Sequence, residues 1–122
     1  MTNRYMSGDG ETEMVIDGSK ASIMKTGTKE VLATVELRGE VVAAAISNNR
    51  RYVAAALQVM LGTDIYQYKQ GDDGRWTMGM LERGLKVQPA KLTWEEGDDA
   101  RYPPVELKVT GGDGAARTVQ QK

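Results

Sequence analysis

The chain reads as all-β, a series of consecutive four-stranded antiparallel sheets, and three observations predict this. Short apolar runs follow one another along the whole length, and the breaks between them are rich in Gly, Asn and Asp. The same plan also recurs at a spacing of about 40 to 50 residues, the length of a four-stranded sheet repeat.

The plan is clearest in residues 39–83. Val41 to Ile46 is the first run, and Ser47-Asn48-Asn49-Arg50 supplies polar residues that reverse the chain. Tyr52 to Leu61 follows, and Gly62-Thr63 breaks the pattern. Asp64 to Lys69 then carries the β-formers Ile65, Tyr66 and Tyr68, and Gly71-Asp72-Asp73-Gly74 turns the chain into Trp76 to Leu81. Residues 1–38 repeat this with Arg4 to Met6, Thr12 to Ile16, Ala21 to Lys25 and Val31 to Leu37. Residues 84–122 give Val87 to Trp94, a long turn through Pro104, Val105 to Thr110, the break Gly111-Gly112-Asp113-Gly114, and Ala116 to Gln120. That unit has three runs, so its fourth is missing. The expectation is one domain over 1–122 made of three repeat-like units.

One competing reading attaches to residues 48–61. Ser47 could cap a helix running through Arg51, Val53, Ala56, Leu57 and Met60 to Gly62, and the Ala, Leu, Gln and Met content favours helix. The chain would then be an α+β domain of two hairpins, one helix and a C-terminal strand pair.

Composition limits the chemistry. A chain of 122 residues can bury roughly two-thirds of its unfolded surface. Its core must be built without Phe, from eleven Val, twelve Ala, eight Leu, four Ile and seven Met. Small side chains suit closely packed sheets. A net charge of −1 gives no long-range attraction for nucleic acid or anionic membrane. No apolar stretch approaches the length that spans a bilayer as a helix, and the N-terminus has no signal-peptide pattern, so the expected location is cytoplasmic. Without His or Cys there is no Ser-His-Asp triad, no Cys-His pair and no usual structural zinc site.

The segment SKASIMKTGTKEVLATVELRGEVVAAAISNNRRYVAAAL resembles the third and fourth strands of a WD40-type β-propeller blade running into the first and second strands of the next. VELKVTGGDGAARTVQ is similar to a second strand, its glycine turn and a third strand. The chain departs from the family pattern in two ways. It has no Gly-His pair, and Met24-Lys25, Tyr66-Gln67 and Val119-Gln120 stand where the family has Trp-Asp. The resemblance implies sheets of propeller-blade type in an incomplete ring, and binding through loops on one face. On this sequence those loops hold Arg38, Gly39 and Glu40, then Gly62, Thr63 and Asp64, with Arg83 and Lys86. An incomplete ring is expected to leave apolar faces at both ends and an open strand edge. Two copies could cover these, with a strand donated from Asn3 to Met6 of a second chain.

Other constellations carry weaker signals. Glu95-Glu96-Gly97-Asp98-Asp99, Asp72-Asp73 and the Asp9, Glu11, Glu13 group offer carboxylates that read first as solvated turns. Gly111 to Gly114 lacks the Lys-Ser/Thr of a phosphate loop. Arg50-Arg51-Tyr52 pairs cations with an aromatic ring, and Trp76 and Trp94 read as packing residues. The leading expectation is therefore a non-catalytic protein-interaction or assembly module, self-associating, with a protein partner and no cofactor, metal or catalytic residue assigned. The alternatives are a small α+β enzyme using carboxylate or Tyr/Lys acid-base chemistry, and a small viral, structural or designed self-assembling protein.

Overall fold

The computed structural model describes residues 2–96, 103–104 and 106–121. The described residues form β1 (Thr2–Met6), β2 (Thr12–Asp17), β3 (Lys20–Lys25), β4 (Val31–Glu36), β5 (Val41–Ile46), β6 (Tyr52–Val59), β7 (Gly62–Gln70), β8 (Trp76–Leu85), β9 (Pro89–Glu95), β10 (Glu106–Gly111) and β11 (Ala116–Gln120), with no helix among them. Strands consecutive in sequence pair antiparallel, giving sheet A (β1 to β4), sheet B (β5 to β8) and the three-stranded sheet C (β9 to β11). None closes into a barrel. The second expected run of residues 84–122 begins at Val105, which lies outside the described residues, as do Gly97, Asp98 and Asp99 of the acidic stretch.

Residues 52–59 are strand, which overturns the helical alternative for 48–61. Ser47 caps a hairpin instead of a helix: its N–H donates to the Tyr52 carbonyl at 3.0 Å, and its hydroxyl accepts the Tyr52 N–H at 3.0 Å. Helix propensity in Ala-Ala-Ala-Leu is worth a few tenths of a kcal/mol per residue, and burial on both sides outweighs it. Ala44, Ile46, Val53, Ala55, Leu57, Tyr66 and Tyr68 of sheet B pack against Met14, Ile16, Ala21, Ile23 and Val35 of sheet A. The alternate residues Ala43, Ala45, Tyr52, Ala54, Ala56 and Ile65 pack against Leu92, Trp94, Leu107 and Val109 of sheet C. Sheet B is thus the middle layer, apolar on both faces.

Its centre is an alanine patch. Ala43 faces Ala56 across the β5–β6 ladder, Ala44 faces Ala55, and Ala45 faces Ala54. Methyl side chains there leave room for the larger residues of both neighbouring sheets, which explains how a core without Phe reaches close packing. Trp94 fills part of this space, meeting Tyr52 edge to face at 5.9 Å between centroids and 77° between planes.

The linker from sheet A to sheet B is pinned by a phenol. The Arg38 N–H donates to Tyr68 Oη at 3.0 Å, and burial holds the Tyr68 hydroxyl above its ordinary pKa. Tyr68→Phe leaves that amide without its partner, so we expect a loss of about 1–2 kcal/mol in denaturant unfolding, with the slope against denaturant unchanged.

The outer faces differ from the expectation of two apolar ends. On sheet C, Lys108 pairs in register with Thr93 and Thr118, and this row lies opposite in phase to the core residues Leu107 and Val109. That end is polar. On sheet A, Arg4 and Glu13 form an ion pair at 2.6 Å, but Met6, Val31 and Leu32 are exposed. Residues 3–6 belong to β1 and are paired with β2 in their own sheet, so no free strand is available there for donation.

Candidate functional site

Of the residues that the sequence placed in loops, Gly62, Thr63 and Asp64 lie within β7 and Arg83 within β8, at the end of sheet B where β6 turns into β7, because the chain already reverses at residues 60 and 61. Val59 and Gly62 are cross-strand partners, so Met60-Leu61 alone makes the turn. These two apolar side chains are 99% and 88% exposed, the most exposed large hydrophobic residues described. The tip is braced from below: the Gln58 side-chain amide donates to the Val59 carbonyl at 3.2 Å and the Gly62 carbonyl at 3.0 Å, while the Gln58 N–H donates to the Glu40 carbonyl at 2.9 Å. The linker carrying Arg38, Gly39 and Glu40 is thereby fastened to this hairpin.

Thr63 and Asp64 are buried. The Asp64 carboxylate accepts the Gly84 N–H at 2.7 Å, locking the irregular β7–β8 pairing, so these two residues position the end of the sheet, and Asp64 reaches its surface only at its edge. Arg83 is exposed, and with Val59, Met60, Leu61, Asp64 and Gly84 it borders a shallow cavity of about 560 Å³. Lys86 borders a neighbouring groove of about 320 Å³ with Leu85, Val87, Val109 and Arg117. Met60 and Leu61 escaped the sequence reading because they extend the apolar run of β6. The available signal was Gly62 directly after them, which ends a strand as readily as it interrupts one.

A second group lies at the β1–β2 and β5–β6 turns. Ser7 donates its hydroxyl to Asp9 Oδ1 at 2.6 Å, and the Glu11 N–H donates to the same oxygen at 3.0 Å. Forty residues on, Ser47 donates to Asn49 Oδ1 at 2.6 Å and the Arg51 N–H to that oxygen at 3.0 Å. The two turns are copies of one design. Gly10 has φ +74° in the first, and Arg50 has φ 65° at the matching place in the second. An arginine in the left-handed region is strained, and its guanidinium is engaged, Nε donating to Thr12 Oγ1 at 2.7 Å across to the first turn. With Arg51 paired to Asp72 at 2.9 Å, the Arg50-Arg51-Tyr52 group is occupied by structural contacts.

Side chains then link turn to turn. Asn48 Oδ1 accepts the Asp9 N–H at 3.1 Å, and Glu96 Oε2 accepts the Asn48 N–H at 2.9 Å. Glu96 Oε1 is buried without a hydrogen bond. Burial raises the Glu96 carboxyl pKa against the Asn48 amide that lowers it, and the nearby Asp9 charge adds to the rise. Burial also acts to raise Asp9, but the Ser7 hydroxyl, the Glu11 amide and Arg50 outweigh it and hold Asp9 below its usual value.

The two carboxyls therefore have opposite pH signatures. The native state binds a proton on Glu96 more tightly than the unfolded chain does. Its contribution is present in acid and lost as pH rises through the raised native pKa. Asp9 contributes above its unfolded pKa and loses that contribution as pH falls through the lowered native one. Glu96→Gln should melt higher than the wild type at neutral pH, with the difference closing towards about pH 4. Asp9→Asn, which copies Asn49, should melt slightly below the wild type at neutral pH and match it in acid, so the acid limb of its melting profile is flatter.

No group of three or more metal-ligating side chains occurs among the described residues. Among the described residues no helix is long and apolar enough to cross a membrane. No protein-family model matches the chain, and no curated protein matches it.

Proposed function

We propose that this protein is a non-catalytic interaction module of stacked β-sheet repeats, of propeller-blade type, that binds a protein partner through the β6–β7 end of sheet B. The observation that carries this is the Met60-Leu61 tip: two large apolar side chains, almost wholly in water, on a hairpin braced by Gln58 and anchored to a double-sided core. Exposing them costs solvation, and a rigid protruding pair is the form a contact anchor takes, since little order has to be gained on binding. Arg83 and Lys86 beside the tip, with the Arg38 to Glu40 linker, form its polar rim.

The test is photo-crosslinking from position 60 or 61 in the native host, with the captured partner then purified and titrated. A Met60→Glu, Leu61→Glu chain should bind that partner at least about tenfold more weakly, as for loss of a buried anchor, while Asp72→Asn on a distant turn leaves it unchanged. Equal binding by all three chains refutes the reading.

A second reading has its own observation. Met6, Val31 and Leu32 on the outer face of sheet A favour self-association of two copies through that face, whereas the polar outer row of sheet C favours no such contact. Sedimentation at micromolar concentration tests it: a dimer that Met6→Lys and Leu32→Lys dissociate supports the reading, and a monomeric wild type removes it.

A further inference from the structure

The first strands of the three sheets converge, β5 touching both β1 and β9, and they border a cavity of about 460 Å³. We propose that this cavity binds a small primary amine that also carries an oxygen acceptor, with the amine on Glu96 and the acceptor on the Trp94 indole. The site is separate from the Met60-Leu61 tip.

Two residues of the cavity wall each carry a buried polar atom without a hydrogen-bond partner among the described residues, Trp94 at Nε1 and Glu96 at Oε1. Trp94 is 5% exposed, so its N–H has given up water and gained nothing in return, a state that buried donors rarely keep. Glu96 is its counterpart as an acceptor. The Asn48 N–H occupies Oε2, and Oε1 is left over. Residues 94 and 96 stand two apart at the end of β9, the spacing that puts side chains on one side of an extended chain.

These atom types fix the ligand chemistry. An indole N–H is met only by an acceptor, and a carboxylate oxygen only by a donor. The carboxylate also lacks a countercharge: Arg4 in the same wall is held by Glu13 at 2.6 Å, and Lys91 forms no ion pair among the described residues. Burial, with the nearby Asp9 charge, accordingly raises the Glu96 carboxyl pKa. An ammonium group supplies both the donor and the missing charge. Ala43, Ala45 and Leu92 make other parts of the wall apolar, which suits a short carbon frame. One water takes about 30 Å³, whereas the cavity falls within the range of roughly 300–1,000 Å³ of small-molecule sites.

The probe is glycinamide, which has an ammonium and a carbonyl oxygen. The readout is the indole N–H signal of Trp94 in the proton–nitrogen correlation spectrum of the full chain, and Trp76, the other tryptophan, is the internal control. Millimolar glycinamide should shift the Trp94 signal saturably and leave that of Trp76 in place. Ethylamine, with no acceptor, and propionamide, with no ammonium, should each bind at least about tenfold more weakly, and so should glycinamide to Glu96→Gln. That variant is expected to melt above the wild type at neutral pH, so its lost binding is not lost structure. Equal binding of the three probes, undiminished binding by Glu96→Gln, or a Trp94 signal that none of them moves, the result for a cavity that holds water only, would each overturn the proposal.

Discussion

Gly62→Ala should destabilise the protein by about 3 kcal/mol or more, the sum of left-handed backbone strain and a main-chain clash. Gly62 sits at φ +142°, and a Cβ there would lie 2.5 Å from the Leu85 carbonyl oxygen and 3.3 Å from two backbone carbons of residues 84 and 85. None of these is a side-chain end that can swing away. Relief requires β8 to move off β7 where Asp64 fastens the Gly84 amide, so the damage spreads into the β7–β8 pairing. Chemical denaturation should show the lost stability, and hydrogen exchange should place the first weakening at Thr63 to Ile65. A loss under about 1 kcal/mol, the level of an ordinary surface substitution, would mean that the close approach of β8 is not maintained in solution.

The second large effect is expected at the centre of the alanine patch. Ala55 is fully buried on the face towards sheet A, between Ala44 and Tyr66 in register and in the same core as Met14 and Ile23. Ala55→Leu adds three carbons where no space is left, at about 3 kcal/mol, the upper part of the range for overpacked cores. Ala55→Gly errs the other way, losing a methyl and gaining chain entropy, at about 1 kcal/mol. The order of melting temperatures, wild type above Gly above Leu, checks the packing. A leucine variant as stable as the wild type would show that sheets A and B are not in close contact there.

The strands were legible because Gly, Asn and Asp mark turns by their backbone preferences, and those preferences are local. Hence Ser47 to Arg50 and Gly71 to Gly74 could be placed from sequence, and each unit's count of runs matches its sheet. The choice between strand and helix at 52–59 was not local. Alanine prefers helix when nothing else acts, and only sheets lying on both sides of Ala54 and Ala55 reverse that preference. The same limit hid the turn-to-turn contacts. Asn48 and Glu96 read as polar loop residues until the stacking of three sheets brings the first to the Asp9 amide and the second to the Asn48 amide. At the end of sheet B, the turn between β6 and β7 was legible only to within two residues, read at Gly62-Thr63 and found at Met60-Leu61. Exposure of Met60 and Leu61 was not, because a run of apolar letters carries no mark of where a strand leaves the core.

In the described hydrogen bonds between stacked turns, a side chain of the later turn reaches back to the turn before it, Arg50 as a donor to Thr12 and the others as acceptors. Each later turn contributes a side chain that accepts an amide from the turn before it, Glu96 to Asn48 and Asn48 to Asp9, and the matching residue of the first turn, Gly8, has no side chain to offer. The stack therefore has a head and a tail, like a polymer with one reactive end. A sheet engineered to follow sheet C could be coupled by an acceptor reaching back to its last turn, whereas one placed before sheet A would first need Gly8 replaced by a residue such as Asn. Modular extension of this protein should succeed from one end and stall at the other.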